Sequence, residues 1–191
     1  MPFATGHEVT IVKQIRIHGR GGQGSVTLAH LIAEAAYEEG KWAQAFPSFG
    51  VERRGAPVEA FARIDEEKIT NRSQVDEPDY VVVQDPSLIE FVDVTRGVDE
   101  DGAIVVNSSA DPADLDIETA TQVVTVDATD IALEHLGKPI MNTALMGAFA
   151  SVTGVLQQES LESVIMSEFP GEIGEQNVAA TADAFAEVAS V

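Results

Sequence analysis

The order of apolar and polar positions along the chain predicts alternating strands and helices. Residues 14–18 alternate isoleucine with longer polar side chains, as in a strand with one buried face, and lead into a glycine-rich turn. From residue 25 to 39 apolar side chains recur every three or four positions, as on the buried face of a helix, and Gly40 is expected to end that helix. A strand, a glycine turn and a helix in this order form the opening unit of a parallel α/β sheet.

Later apolar runs continue this pattern. A loop rich in Gly, Pro and Arg is predicted over 47–57, and Asp127 and the pair Asn142-Thr143 are expected to cap two of the later helices. Further strands are predicted over 41–46, over 58–64 paired with 68–70, and over 80–84, 103–106 and 123–126. Further helices are predicted over 86–92, 131–136, 144–153, 160–169 and 175–191. We therefore predict an α/β protein in which residues 1–191 form a single domain, with a mainly parallel sheet flanked by helices.

Charge divides the chain into two unequal parts. Residues 1–72 contain nine basic and nine acidic side chains, whereas the remaining residues contain two basic and 23 acidic ones and carry the whole formal charge of −21. Either a salt-rich cytoplasm or an ordinary solvated acidic surface is consistent with such acidity. The clustering of cations around the glycine turn predicts that they serve an anionic ligand.

Composition also excludes several classes of function. The chain has no cysteine, so it contains no disulfide, thiolate metal site or iron–sulfur ligand. No stretch approaches the roughly 18 apolar residues that span a bilayer, and the start does not have the pattern of a secretory signal. The acidity argues against nucleic-acid binding, which needs surplus cations. We expect a cytoplasmic protein that binds neither nucleic acid nor membrane.

The glycine turn itself has the spacing G-x-G-x-x-G between a strand and a helix. Glycines at these positions let the backbone approach a diphosphate, although a turn of this kind also serves close packing alone. NAD-binding sites place a carboxylate at the end of the second strand, and residues 43–46 contain none. Arg53 and Arg54 follow instead, and paired arginines suit phosphates. The predicted ligand-binding residues are Gly19, Arg20, Gly21, Gly22, Gln23, Gly24, Arg53 and Arg54, on loops expected to leave the carboxyl ends of neighbouring strands. Coenzyme A fits them better than NAD does.

Three segments resemble one known family. They are 17–24 (IHGRGGQG), 40–47 (GKWAQAFP) and 49–58 (FGVERRGAPV), with shorter matches continuing to Gly147. They are similar to the gamma subunit of 2-oxoacid:ferredoxin oxidoreductases, and most like that of the pyruvate enzyme.

The resemblance implies a multi-subunit enzyme that converts pyruvate and coenzyme A reversibly to acetyl-coenzyme A and carbon dioxide, passing electrons to ferredoxin. Thiamine diphosphate, Mg²⁺ and the iron–sulfur clusters would lie on alpha, beta and delta subunits. This chain would hold no cofactor, metal or catalytic residue, would be inactive alone, and would contribute to coenzyme A binding. Two alternatives stay open at this point: a 2-oxoisovalerate enzyme of the same family, and a stand-alone nucleotide- or coenzyme-A-binding module.

Overall fold

A computed structural model describes residues 12–48 and 53–189, and its backbone follows the predicted alternation. Six strands form one sheet in the order β2-β3-β1-β4-β5-β6. The strands are β1 (Lys13–Arg20), β2 (Trp42–Pro47), β3 (Pro57–Asp65), β4 (Tyr80–Val83), β5 (Ala103–Asn107) and β6 (Gln122–Val126). The helices are α1 (Ser25–Glu38), α2 (Ala128–Leu136), α3 (Asn142–Thr153), α4 (Gln158–Glu168) and α5 (Glu172–Ala189), with short 3₁₀ helices at Pro86–Glu90 and Pro112–Asp114.

The prediction of a single-domain α/β fold with a mainly parallel sheet is confirmed. Strands β1, β4, β5 and β6 pair in parallel, as the buried β-branched runs predicted. Strand β3 lies between β1 and β2 and is antiparallel to both. The predicted pairing of 58–64 with 68–70 is therefore wrong, because 68–70 is not a strand and β3 finds both its partners elsewhere. The expectation that the glycine turn and the arginine loop follow neighbouring strands is also wrong, because β3 lies between β1 and β2.

One face of the sheet, here called the helix face, is covered by all five α-helices. Ile15 and Ile17 of β1 lie on it, and they belong to the same buried cluster as side chains from every helix. Within that cluster α3 crosses α5 closely. A β-carbon on Gly147 would overlap the backbone oxygen of Thr181. The small residues of α3 therefore serve the core of this chain.

The opposite face, here called the loop face, carries Arg16 and His18 of β1 and Arg63 of β3. In the described residues no α-helix covers it. The segment 86–102 lies over its parallel half, where Leu88 is buried and Val94 joins a smaller apolar cluster with valine and isoleucine side chains of β4 and β5. The segment 66–79 lies over the antiparallel half, where Arg63 Nη2 donates to the backbone oxygen of Ser73 at 2.8 Å.

Element ends mostly follow the predicted signals. Gly40 and Gly154 both have positive φ where α1 and α3 end, and Asp127 accepts a hydrogen bond from the Asp130 backbone at 2.9 Å at the start of α2. Two predictions are wrong. Asn142-Thr143 does not cap α3, because Met141 is the capping residue and Asn142 accepts a hydrogen bond from Gln84 instead. The helix predicted over 86–92 is a 3₁₀ helix that ends at Glu90.

Candidate functional site

The glycine turn connects β1 directly to the first turn of α1. Gly22 and Gly24 both have positive φ, which glycine adopts without strain. Gly24 is the N-terminal capping residue, and no side chain bonds to the first amides of α1. The first backbone bond of the helix is donated by Leu28 to the Gly24 oxygen at 2.9 Å. The amide groups of 25–27 therefore have no partner within the helix and face the end at which an anion is stabilised.

Gly21 brings the arginine-containing loop against this turn. Its backbone N–H donates to Ala56 O at 2.9 Å, and its oxygen accepts from Gly55 N at 2.9 Å. A β-carbon at Gly21 would overlap the backbone oxygen of Arg53. The close approach predicted for this glycine is therefore made by the chain's own backbone, and it places Arg53 and Arg54 beside the turn.

Gly19 and Gly24 make room for a buried polar cluster below the turn. Ser25 Oγ donates to Gln84 Oε1 at 2.5 Å, and Gln84 Nε2 donates to Asn142 Oδ1 at 2.6 Å. A β-carbon on Gly19 would overlap the Ser25 and Gln84 side chains, and one on Gly24 would crowd Asn142. Close packing within the chain therefore explains why glycine stands at all three positions of the G-x-G-x-x-G spacing.

Arg20 and Gln23 are engaged by other groups of the chain. Arg20 donates from Nε to Asp85 Oδ2 at 2.9 Å, from Nη1 to Gly55 O at 3.1 Å and from Nη2 to Ser87 Oγ at 2.7 Å. Gln23 accepts from the Arg20 backbone through Oε1 at 2.7 Å. Partial burial alone would raise the pKa of Asp85, but hydrogen bonds from Ser87 and Arg20 outweigh it, so the pKa is lowered and the carboxylate stays ionised. Arg20 therefore ties the turn to the end of β4.

Arg53 and Arg54 are different, because both side chains are exposed. Among the described residues neither has an ion-pair partner. Glu52, which precedes them in the sequence, lies outside the described residues. These two guanidinium groups are therefore the cations next to the glycine turn that the described chain leaves available to a ligand.

The other cations near the turn in sequence are mostly used within the fold. Arg16 and Arg63 are buried under the loop face, Lys13 pairs with Asp79 at 3.1 Å, and Lys41 pairs with Glu39 at 2.7 Å. The prediction that the clustered cations serve an anionic ligand is thus wrong for these four residues. Their clustering in the sequence reflects loop anchoring and ion pairing.

An open cleft of about 530 Å³ lies beside the glycine turn. The turn, the start of α1, the end of β2, the start of β3 and the segment after β4 all contribute to it. Its lining residues are His18, Gly22, Gly24, Ser25, Val26, Thr27, Pro47, Ser48, Pro57, Val58, Glu59, Leu88 and Val92. A cleft at the carboxyl end of β1 is where open α/β sheets bind ligands.

His18 and Glu59 are polar residues of this cleft that the sequence did not assign to a ligand site. Burial, together with the positive charges of Arg16 and Arg96, lowers the pKa of His18 to about 3, so the imidazole is neutral. Arg16 Nε donates to His18 Nε2 at 3.0 Å, which leaves the proton on Nδ1, 3.7 Å from Glu59 Oε1. Only the pairing of β1 with β3, which no local pattern predicts, brings these two side chains together.

Two features of the described residues bear on other functions. In 12–48 and 53–189 no group of three or more His, Asp or Glu side chains is placed to hold a metal ion. Nor is any helix in this part of the chain long and apolar enough to cross a membrane. That the chain holds no metal or cofactor stays a prediction.

Comparison with known proteins gives consistent matches over most of the chain. Residues 14–187 match the family model described as pyruvate ferredoxin/flavodoxin oxidoreductase. The chain is 54% identical to pyruvate synthase subunit PorC of Methanocaldococcus jannaschii, over 92% of this chain and 96% of that protein. It is also 54% identical to the pyruvate/ketoisovalerate oxidoreductases common subunit gamma of Pyrococcus abyssi, over 90% and 95%. The crystal structure of pyruvate oxidoreductase subunit PORC from Thermotoga maritima superimposes with a TM-score of 0.82 at 38% identity, covering 92% of this chain and 96% of that one.

Proposed function

Because the chain belongs to the pyruvate ferredoxin/flavodoxin oxidoreductase family, we propose that it is the gamma subunit of a pyruvate:ferredoxin oxidoreductase. The complex interconverts pyruvate and coenzyme A with acetyl-coenzyme A and carbon dioxide, using ferredoxin as electron carrier. The identity of 54% to a pyruvate synthase subunit over nearly the whole length of both chains carries this proposal. The chain acts in the cytoplasm, its family domain extends over 1–191, and it works only as part of the assembly.

The proposal places the redox chemistry on other subunits. Thiamine diphosphate, Mg²⁺ and iron–sulfur clusters belong to alpha, beta and delta subunits, as the family resemblance implies. The absence of cysteine fits this division, since iron–sulfur clusters are held mainly by thiolates. This chain contributes binding surface.

A shared role with a branched-chain 2-oxoacid enzyme is a second candidate. The relative from Pyrococcus abyssi is named as a subunit common to pyruvate and ketoisovalerate oxidoreductases. Purifying the native complex through this chain, then measuring ferredoxin reduction with pyruvate and with 2-oxoisovalerate, tests both activities. Activity with pyruvate supports the first proposal, activity with both supports a shared subunit, and a chain that purifies alone contradicts both.

Within this complex, the glycine turn and the arginine loop form part of the coenzyme A phosphate site. The contact between Gly21 and the segment 53–56 supports this, because it holds the backbone of two arginines with exposed side chains beside the glycine turn, which lines the open cleft. Arg53 and Arg54 supply charge, the amides after Gly24 supply donors, and Arg20 and Gln23 hold the turn in shape. The diphosphate and the 3′-phosphate of coenzyme A give these groups their acceptors.

Replacing Arg53 or Arg54 singly with alanine tests this site. A hydrogen bond to a charged group contributes about 1.5–3 kcal/mol, so we expect the coenzyme A requirement of the assembled enzyme to rise about tenfold to a hundredfold. The Michaelis constant for pyruvate should hardly change. Comparing coenzyme A with 3′-dephospho-coenzyme A identifies which arginine meets the 3′-phosphate, because its variant loses the preference between the two.

Arg72→Ala is the matched control, since Arg72 is also exposed but lies on the segment 66–79, none of whose residues lines the cleft. It should leave the coenzyme A titration unchanged. An unchanged titration in both loop variants, with assembly intact, would assign Arg53 and Arg54 to contacts between subunits instead.

A further inference from the structure

A second groove, separate in its lining from the glycine-turn cleft except at Thr27, opens between α1, the start of α3 and the start of α5. Its volume is about 340 Å³, and we call it the α3–α5 groove. Its lining residues are Thr27, Leu31, Leu136, Lys138, Ile140, Asn142, Thr143, Phe169, Ile173, Gln176 and Asn177.

The walls of the groove are apolar and accessible. Ile140 is 52% exposed and Ile173 is 60% exposed. Leu136 and Phe169 are half-buried beside them. Clustered apolar side chains of this kind mark surfaces that another molecule covers.

Two buried polar side chains of the groove, those of Thr143 and Asn177, are already bonded to one another. Thr143 Oγ1 donates to Asn177 Oδ1 at 2.8 Å, and Asn177 Nδ2 donates to the backbone oxygen of Ile173 at 2.7 Å. A polar small molecule would have to displace these bonds. The groove therefore recognises its occupant mainly through apolar contact.

Lys138 adds a charge to the rim of this apolar surface. After residue 72 the chain has two basic and 23 acidic side chains. The other basic residue, Arg96, forms an ion pair with Glu59, with 3.5 Å between Arg96 Nη2 and Glu59 Oε1. In the part of the chain that the structure describes, Lys138 has no ion-pair partner. An exposed, unpaired lysine among so many carboxylates is complementary to an acidic group on another molecule.

We propose that the α3–α5 groove is a docking surface for another subunit of the oxidoreductase, which inserts an apolar segment and places a carboxylate against Lys138. This inference rests on the proposed function, because it takes the chain to work within a complex. A second copy of the same chain fits poorly, since each copy carries a formal charge of −21 and the two would repel one another.

Assembly measured with purified subunits tests the proposal. The remaining subunits of the complex are produced together with an affinity tag, and binding of the full chain is measured over a concentration series by analytical size exclusion. Ile173→Asp puts a charge on the apolar wall, and we expect it to raise the dissociation constant at least tenfold. Tyr37→Asp is the matched control, because Tyr37 is 73% exposed on α1 and does not line the groove. The dissociation constant of this control variant should stay within about twofold of that of the unmodified chain.

The charge at the rim is tested separately with a substitution that does not touch the core. Lys138→Glu should weaken assembly about fivefold or more, with a larger effect at low salt, whereas Lys68→Glu on an exposed loop should have little effect. Lys138→Arg keeps the positive charge and should therefore bind like the unmodified chain. This series remains informative if Ile173→Asp fails to fold.

The outcomes separate this inference from the function on which it rests. An unmodified chain that does not join the purified subunits contradicts the proposed function. An unmodified chain that joins while the groove variants join equally well, or are matched by Tyr37→Asp, contradicts the docking surface alone. Self-association of the unmodified chain that Ile173→Asp abolishes assigns the groove to a second copy. Protection of the groove amides from hydrogen exchange by coenzyme A alone assigns it to the ligand. Either result overturns the proposal.

Discussion

The helix face and the loop face of the sheet are buried by different means. On the helix face the strands present isoleucine, valine and alanine to five helices whose backbone groups, except at the helix ends, bond within the helix, so apolar contact is enough. On the loop face irregular segments bring backbone oxygens to the sheet without partners of their own. Arg16 and Arg63 supply the missing donors. The type of cover thus decides which side chains a buried strand needs.

Each of these arginines joins a loop to the sheet in the same way. Arg16 donates from Nη2 to Val94 O at 3.2 Å and to Arg96 O at 2.6 Å, and Arg63 donates from Nη2 to two backbone oxygens of the segment 66–79. Burial lowers the pKa of both guanidinium groups, and the Nη1 atom of each has no hydrogen-bond partner among the described residues. The loop face therefore carries a desolvation cost that the helix face avoids.

Removing a loop-face arginine should give the largest effect. Arg16→Met keeps most of the buried volume but leaves two backbone oxygens and His18 Nε2 without donors. At about 1–3 kcal/mol for each buried group left unsatisfied, we expect the free energy of unfolding to fall by about 4 kcal/mol. Denaturant unfolding of the full chain measures it. Ile17→Val, one position further along β1 on the helix face, should cost only about 1 kcal/mol. Similar losses from the two variants would show that the two faces do not differ in this way.

A helix-face substitution of intermediate effect concerns the crossing of α3 and α5. Gly147→Ala adds one methyl group against the backbone oxygen of Thr181, and overpacking of this kind costs about 1–3 kcal/mol. Because the overlap is with backbone atoms, the cost lies at the upper end of this range or just above it. Since alanine favours a helix over glycine by about 1 kcal/mol, the net loss should be near 2 kcal/mol or slightly more. Thermal unfolding followed by circular dichroism gives the measurement. Ser151→Ala, on the same helix but only half-buried, should change stability by less than about 0.5 kcal/mol. If both variants unfold like the original chain, α3 and α5 are not as tightly packed as described.

The smallest expected effect is a pH dependence that comes from the loop face. The pKa of His18 is lowered from 6.5 to about 3 by burial and by Arg16 and Arg96, so the unfolded chain binds a proton in this interval that the folded chain does not. Stability therefore decreases as pH falls below 6.5, by about 2 kcal/mol between pH 7 and pH 5. Carboxylates contribute little in that range because their usual pKa values are lower.

Replacing the histidine isolates this contribution. His18→Gln should remove most of the change in the free energy of unfolding between pH 7 and pH 5. His30→Gln, at an exposed position on α1, should leave that change intact. Denaturant titrations at the two pH values give the comparison. A pH dependence that survives in His18→Gln would mean that the imidazole is not the group responsible.

The candidate site shows how far local sequence patterns reach. The turn between β1 and α1 and the special role of its glycines could be predicted, because G-x-G-x-x-G between a strand and a helix constrains a short stretch of backbone. The contact of Gly21 with the segment 53–56 could not, since it depends on β3 returning antiparallel beside β1. Glu59 was missed for the same reason.

The sequence by itself determined the fold class, the α/β alternation, the family and the position of the glycine turn. Each of these depends on residues close together in the chain, where periodicity and turn chemistry act. Tertiary structure alone decided that β3 lies between β1 and β2, and that Arg16, His18 and Arg63 are buried. Alternation along a strand shows that its two faces differ, but it cannot show that distant segments will cover the polar face. Those segments pack there because buried arginines satisfy their backbone oxygens, and that pairing exists only once the chain has folded.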